Sequence, residues 1–145
     1  MEILVTGGAG YIGSHTALLL SQRGHHVEIL DNFSTGPRSN IEVLNLPCHA
    51  FDIADTEKTK DLLRSKKFDV ILHFAGSAHV SESFDNPGKY YRNNVLTGFG
   101  LLETVRELEP SPKIIYSSSC TTYGIPFQFP IKEDCPQIPI SPYGR

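Results

Sequence analysis

The chain has 145 residues, the length of one domain, with 39% hydrophobic residues, 20% charged residues and a net charge of −3. This composition is ordinary for a soluble globular protein, and the negative charge gives no reason to expect nucleic acid or an anionic membrane as a partner. No apolar run reaches the roughly 18 residues of a membrane-spanning helix. Because the first residues already fit a strand, no signal peptide is predicted. Cys48, Cys120 and Cys135 form no C-x-x-C pattern, so we expect a reduced, cytoplasmic protein without a metal site.

The first elements are a strand over residues 2–6, a glycine-rich turn and a helix over about 12–23. The first glycine permits a tight turn, Gly10 lets the backbone approach a phosphate, and Gly13 lets the helix pack close to the strand. A strand, glycine turn and helix N-terminus in this order are typical of a dinucleotide pyrophosphate site. The predicted contacts here are Gly7, Gly10, Tyr11, Ile12 and Gly13.

A second strand over residues 26–30 ends at Asp31 and Asn32. An acid about 20 residues after the glycine turn accepts hydrogen bonds from the adenosine ribose hydroxyls. Because a carboxylate repels a 2′-phosphate, Asp31 favours NAD over NADP. The alternative is that Asp31 merely caps the loop that follows it.

The rest of the chain continues to alternate between strands and helices. Thr56 is predicted to cap the polar helix, with Leu62 and Leu63 facing inward. The long helix carries Leu101, Leu102, Val105 and Leu108 at helical spacing. After Cys120 five prolines exclude long regular elements. The predicted order is a loop over 32–40, a helical turn over 41–46, a weak strand over 48–51, a polar helix over 56–67, a strand over 68–74, a long helix over 87–108 and a strand over 113–117.

This alternation predicts an α/β fold with a doubly wound parallel sheet in a single domain, residues 1–145. Ligands of such sheets lie beyond the carboxyl ends of the strands. The sequence places small and polar residues at those ends: Gly7–Gly13, Asp31–Asn32, Asp52–Ile53, Ala75–Gly76 and Ser117–Ser119.

Taken together, the motifs VTGGAGYIGSH, LDNFSTG, FDI, ILHFAG, NNV, SSSCTTYG and SPYGR resemble the extended short-chain dehydrogenase/reductase family. More narrowly, they are similar to its UDP-glucose 4-epimerase branch. The resemblance covers the whole chain and implies bound NAD and a UDP-sugar substrate. It implies that Tyr143 is the catalytic acid/base and that Ser119 hydrogen-bonds the sugar O4. The cofactor contacts that it implies are Asp52 and Ile53 at adenine, Phe74, Ala75 and Gly76 at the ribose and pyrophosphate, Asn93 from the long helix, and Ser117.

Two other functions stay open at this point. Sugar-nucleotide dehydratases of the family place an acid after the serine or threonine, whereas Cys120 and Thr121 follow Ser119 here. That difference favours epimerisation over dehydration. The second alternative is a non-catalytic NAD-binding fragment, because tyrosine titrates near pH 10 and needs a neighbouring cation to act as a base at neutral pH.

The sequence departs from the family pattern in two places. The YxxxK lysine falls beyond Arg145, and Ala78 stands where well-known members have a lysine that contacts the cofactor ribose. We therefore expect the N-terminal portion of an epimerase, with little activity alone and without the substrate domain. Loss of a covering helix would expose the fifth strand and favour self-association. By analogy with relatives, the long helix from Pro87 would join a homodimer interface.

Overall fold

The computed structural model describes residues 1–145 and divides the chain into two units. The first unit contains Met1–Ala75 and Thr97–Ser117. The second contains Gly76–Leu96 and Ser118–Arg145. Most of the predicted dinucleotide contacts belong to the first unit, whereas Ser119 and Tyr143 belong to the second.

A parallel five-stranded sheet forms the centre of the first unit, with the strand order β3-β2-β1-β4-β5. The chain builds outward from β1 to β3 and then crosses to β4 on the other side of β1, so the switch point lies between β1 and β4. The predicted doubly wound parallel sheet is confirmed. The strands are β1 Glu2–Thr6, β2 His26–Leu30, β3 Cys48–His49, β4 Val70–His73 and β5 Lys113–Tyr116.

Helices cover both faces of this sheet because alternate residues of each strand point to opposite sides. On one face Ile3 and Val5 form a buried cluster with Ala17. On the other face Leu4 packs in a cluster with Leu63 and Leu101. The helices of this unit are α1 Tyr11–Gln22, α2 Ser39–Glu42, α3 Thr56–Ser65 and α6 Thr97–Arg106.

The second unit consists of short helices and irregular segments. Its helices are α4 Val80–Asp85, α5 Pro87–Tyr90, a π-helix over Tyr91–Leu96 and a 3₁₀-helix over Cys120–Tyr123. The proline-rich residues after Tyr123 form no helix or strand, as the sequence predicts. Gly124 turns the chain here with φ +65°, and a Cβ on it would lie 1.9 Å from the carbonyl oxygen of Ile138.

The structure differs from the predictions in five details. The cap of α3 is Asp55, whose carboxylate accepts the Lys58 N–H, so the prediction of Thr56 was wrong. The predicted long helix is three successive segments ending at Arg106, because a π-helix interrupts the α-helical pattern. Leu102, which the sequence groups with Leu101 and Val105 at helical spacing, is 54% exposed, whereas those two residues are buried. Helix α4 was not predicted. Strand β3 lies at the edge of the sheet and spans only two residues of the predicted range 48–51.

The outer strand β5 is poorly covered. Ile115 and Tyr116 are 58% and 56% exposed, which agrees with the expected exposure of the fifth strand. Self-association through this surface stays a prediction.

None of the helices combines the length and the apolar character needed to span a bilayer.

Candidate functional site

The turn between β1 and α1 brings backbone segments into contact that leave no space for side chains. Gly7 has φ +69°, and a Cβ on it would lie 2.6 Å from the amide nitrogen of Ala75. A Cβ on Gly13 would lie 2.3 Å from the carbonyl oxygen of Gly7. The amide of Gly7 also donates to the carbonyl of Leu30 at 2.9 Å. The turn therefore lies tightly against the ends of the neighbouring strands β2 and β4.

The first turn of α1 presents free backbone donors. Gly10 precedes the helix and provides no side-chain cap, and the N–H groups of Tyr11, Ile12 and Gly13 have no acceptor in the chain. The side chains of Tyr11 and Ile12 are exposed, so solvent reaches this end of the helix. Free amides and the positive end of the helix dipole attract an anion such as a phosphate.

Asp31 ties the end of β2 to the glycine turn. One carboxylate oxygen accepts the N–H of Ala9 at 2.8 Å, and the other accepts the N–H of Phe33 at 2.7 Å. Asp31 does cap its own loop, as the alternative interpretation proposes. Each oxygen nevertheless retains a lone pair, so two acceptor positions remain for ligand hydroxyls.

Gly36, in the loop after β2, and Asn40, in α2, support the glycine turn, and neither was predicted as a site residue. The side-chain amide of Asn40 donates to the carbonyl of Ala9 at 2.9 Å. Gly36 approaches the same residue so closely that a Cβ on it would lie 2.4 Å from the carbonyl carbon of Ala9. No local sequence signal identifies these contacts, because they join segments that are distant in the chain.

The predicted adenine contacts also lie next to each other. The side-chain amide of Asn32 donates to the carboxylate of Asp52 at 2.8 Å. The other carboxylate oxygen of Asp52 accepts the N–H of Ala54 at 2.9 Å. Ile53 is half-buried against the cluster around Leu4, and only part of its side chain is available to a ligand.

A buried polar pair lies at the carboxyl ends of β1 and β4. The Thr6 hydroxyl and the Nδ1 atom of His73 are 2.7 Å apart, and both side chains are buried. Burial lowers the pKa of His73 to about 4, so its imidazole is neutral at pH 7. The carbonyl of His73 accepts the N–H of Ser117 at 3.1 Å, and the Ser117 side chain is exposed. Phe74 continues β4 and packs against the cluster around Ile3.

In the second unit, an asparagine pair holds the segment after β4. Asn94 accepts the N–H of Ser77 at 2.8 Å and donates to its carbonyl at 2.9 Å. Asn93 donates to the Ser77 hydroxyl at 3.1 Å. A Cβ on Gly76 would lie 3.3 Å from the Asn94 side-chain oxygen, so Gly76 is also close to this pair.

The segments that carry Ser119 and Tyr143 are in contact. Gly144 follows Tyr143, and a Cβ on Gly144 would lie 2.7 Å from the carbonyl oxygen of Thr121. The hydroxyl oxygen of Ser119 accepts the N–H of Thr121 at 3.3 Å and the Thr121 hydroxyl at 3.0 Å. Because both bonds use acceptor positions, the hydroxyl hydrogen of Ser119 is available for another oxygen. The Tyr143 hydroxyl has no hydrogen-bond partner in the chain, and its ring lies 6.1 Å from that of Tyr90.

Comparison with known proteins gives consistent results. A family model described as GDP-mannose 4,6 dehydratase matches residues 4–145. A UDP-glucose 4-epimerase of Halalkalibacterium halodurans is 42% identical over 100% of this chain and 42% of its own length. UDP-arabinose 4-epimerase 1 of Arabidopsis thaliana is 40% identical over 99% of this chain and 36% of its own. The crystal structure of a Brucella ovis UDP-glucose 4-epimerase in complex with NAD has a TM-score of 0.93 and 43% identity, over 99% of this chain and 43% of that one.

The chain thus spans about two fifths of the length of these relatives. Within that span, the match extends from β1 to the tyrosine segment, and the sheet has the doubly wound order typical of dinucleotide-binding proteins. The chain therefore belongs to the GDP-mannose 4,6-dehydratase family of extended short-chain dehydrogenase/reductases.

Proposed function

We propose that the first unit of this chain binds NAD. The observation that carries this proposal is the glycine turn, where Asp31 fixes the Ala9 amide while the first amides of α1 stay free. The turn would receive the pyrophosphate, and the remaining acceptor positions of Asp31 would receive the adenosine ribose hydroxyls. Asn32 and Asp52 lie next to this acid and would contact the adenine end of the cofactor. The crystallised Brucella ovis relative, which contains NAD, supports the same assignment.

Calorimetric titration of the chain with NAD tests this proposal. We expect Gly10→Val to lose binding, because a side chain there would occupy the space of the pyrophosphate. Gly100→Ala is a matched control, since a Cβ at Gly100 meets no atom within 4 Å. NADP should bind more weakly than NAD because of the Asp31 carboxylate. Equal binding of NAD by the wild-type and Gly10→Val chains would contradict the proposed site.

We further propose that the complete protein is a 4-epimerase of a UDP-sugar. NAD, when bound, supplies the acceptor for hydride from the sugar C4 and returns that hydride to the opposite face. In this reaction the Tyr143 phenolate takes the proton from the O4 hydroxyl and later returns it. Ser119 donates its free hydroxyl hydrogen to the same oxygen. Epimerases of UDP-glucose and UDP-arabinose among the relatives support the UDP-sugar class without distinguishing the sugar.

The products formed from UDP-galactose and NAD distinguish the alternatives. An epimerase forms UDP-glucose of unchanged mass, whereas a dehydratase forms a product lighter by one water. Cys120 and Thr121 provide no acid after Ser119, which favours the epimerase. A chain that binds NAD without any product would fit a non-catalytic NAD-binding fragment. Tyr143→Phe should abolish turnover and leave NAD binding unchanged, and activity that persists in this variant would refute the role of Tyr143.

We also propose that the protein forms a homodimer through the helical segment after Pro87. Tyr91, Val95 and Leu96 of its π-helix are exposed apolar residues, which supports an interface there. Analytical ultracentrifugation should show a dimer that Val95→Lys dissociates and that Ile115→Lys on β5 leaves intact. A monomer at all concentrations would contradict this proposal.

The three unpaired cysteines support a reducing, cytoplasmic setting for the protein.

A further inference from the structure

Tyr90 is a buried side chain with a fixed hydroxyl. It is 1% exposed, and its hydroxyl accepts the N–H of His79 at 3.1 Å. The carbonyl of His79 and the carboxylate of Glu82 lie 2.7 and 2.8 Å from this hydroxyl and share its hydrogen. The second oxygen of Glu82 pairs with Lys89. The polar end of the Tyr90 ring is therefore held by α4 and cannot rotate out of its site.

The apolar side of this fixed ring contacts Tyr143. The two ring centroids are 6.1 Å apart and the planes make an angle of 72°, an edge-to-face arrangement. The backbone next to Tyr143 is fixed separately, because the Gly144 amide donates to the side chain and carbonyl of buried Ser141 at 3.0 and 3.1 Å. The Tyr143 hydroxyl makes no hydrogen bond, so ring packing alone sets its direction.

We propose that Tyr90 is a positioning residue that holds the Tyr143 ring, and with it the phenol oxygen, in one orientation. The inference rests on the proposed function, in which Tyr143 exchanges a proton with the sugar O4. Proton transfer needs donor and acceptor within hydrogen-bond distance, and a misplacement of about 1 Å can cost about a hundredfold in rate. A ring held on one side by a rigid neighbour reaches that geometry without losing further rotational freedom when substrate binds.

The environment of Tyr90 also suits it to this role. Burial and the hydrogen bond to Glu82 raise the pKa of Tyr90 above its ordinary value. Tyr90 consequently stays neutral and does not compete as a base with its neighbour.

Nuclear magnetic resonance of chains labelled at the tyrosine rings tests the inference. In the wild type we expect cross-peaks between the two rings, a ring-current shift of the Tyr143 signals and couplings typical of one χ1 rotamer. Tyr90→Phe keeps the ring and should retain the shift and the single rotamer. Tyr90→Leu removes the ring and should lose both. Tyr91→Leu changes the adjacent, partly exposed tyrosine and should leave the Tyr143 signals unchanged.

Several results would overturn the inference: absence of the ring-to-ring cross-peaks in the wild type, a Tyr143 shift and rotamer that persist in Tyr90→Leu, or an equal effect of Tyr91→Leu. If Tyr90→Leu does not fold, the wild-type cross-peaks and the Tyr90→Phe spectra decide the question in the same way. This measurement needs neither NAD nor UDP-sugar. Failure of the proposed function would instead appear as missing NAD binding or turnover while the Tyr90–Tyr143 signals remain intact.

Discussion

The buried His73 imidazole should make the stability of this chain depend on pH between the unfolded and folded pKa values of this group. Burial lowers the pKa of His73 from 6.5 to about 4 in the folded chain, whereas the unfolded chain retains the ordinary value. The unfolded state therefore binds a proton more readily than the folded state between these two values. The free energy of unfolding is at its full value above pH 6.5 and falls as the pH decreases toward 4.

The size of the effect follows from the same two values. A shift of one pKa unit changes the free energy of unfolding by about 1.4 kcal/mol. The lowering of the His73 pKa from 6.5 to about 4 therefore corresponds to a total loss of about 3 kcal/mol in acid. Glu28, Asp55 and Glu82 have lowered pKa values and also lose stabilisation in acid, but only near and below pH 4.5. Between pH 6.5 and 5 the lowered pKa of His73 predicts a loss of about 2 kcal/mol in the free energy of unfolding, and the His73→Asn variant separates this loss from that of any other group.

Urea unfolding followed by circular dichroism at several pH values between 5 and 7.5 measures the slope of the unfolding free energy against pH. His73→Asn removes the titrating group and keeps an amide near the position of Nδ1, where it can still bond to the Thr6 hydroxyl. We expect the slope to disappear in this variant and to persist in His15→Asn, whose ring is exposed. A wild-type unfolding free energy that is flat between pH 6.5 and 5, or an unchanged slope in His73→Asn, would refute the reasoning.

Three further experiments test individual contacts. Asp55→Ala should lower the free energy of unfolding in urea, and Thr56→Ala should lower it clearly less, because Asp55 is the cap. Gly124→Ala should lower the melting temperature much more than Gly24→Ala, since only the first Cβ meets a backbone carbonyl, at 1.9 Å. Asn40→Ala should weaken NAD binding about fivefold in calorimetry, because it removes one neutral hydrogen bond from the glycine turn; unchanged affinity would contradict its supporting role.

Features of the fold that depend on local sequence were predicted well. Short apolar runs predicted the positions of β1, β2 and β4, because a buried strand is recognisable from neighbouring residues. The glycine turn was recognisable for the same reason: the steric needs of Gly7 and Gly13 arise within the turn and the adjoining strands. The conclusion that the sheet is parallel then followed from the alternation of elements.

Three other features were not predicted, for different reasons. The helical region after Pro87 changes to a π-helix over Tyr91–Leu96, and no glycine or proline within this stretch marks the change. The cap of α3 was misplaced by one residue because Asp55 and Thr56 are both good capping residues and adjacent. Gly36 was predicted only as a loop residue, since its partner Ala9 lies in another segment of the chain.

The residues missed in the sequence support others rather than contact a ligand themselves. Asn40 donates a hydrogen bond to the carbonyl of Ala9. Gly144 has no side chain, which lets its backbone approach the carbonyl oxygen of Thr121 closely. Motif analysis finds the groups that a ligand needs, whereas the groups that hold them need only a particular shape or one hydrogen bond. The proposed chemistry of Tyr143 thus depends on two kinds of residue, and Tyr90 is of the second kind. The ring-to-ring contact accounts for the orientation of the Tyr143 phenol, which no sequence motif reveals, whereas the basicity of that phenol depends on a neighbouring cation.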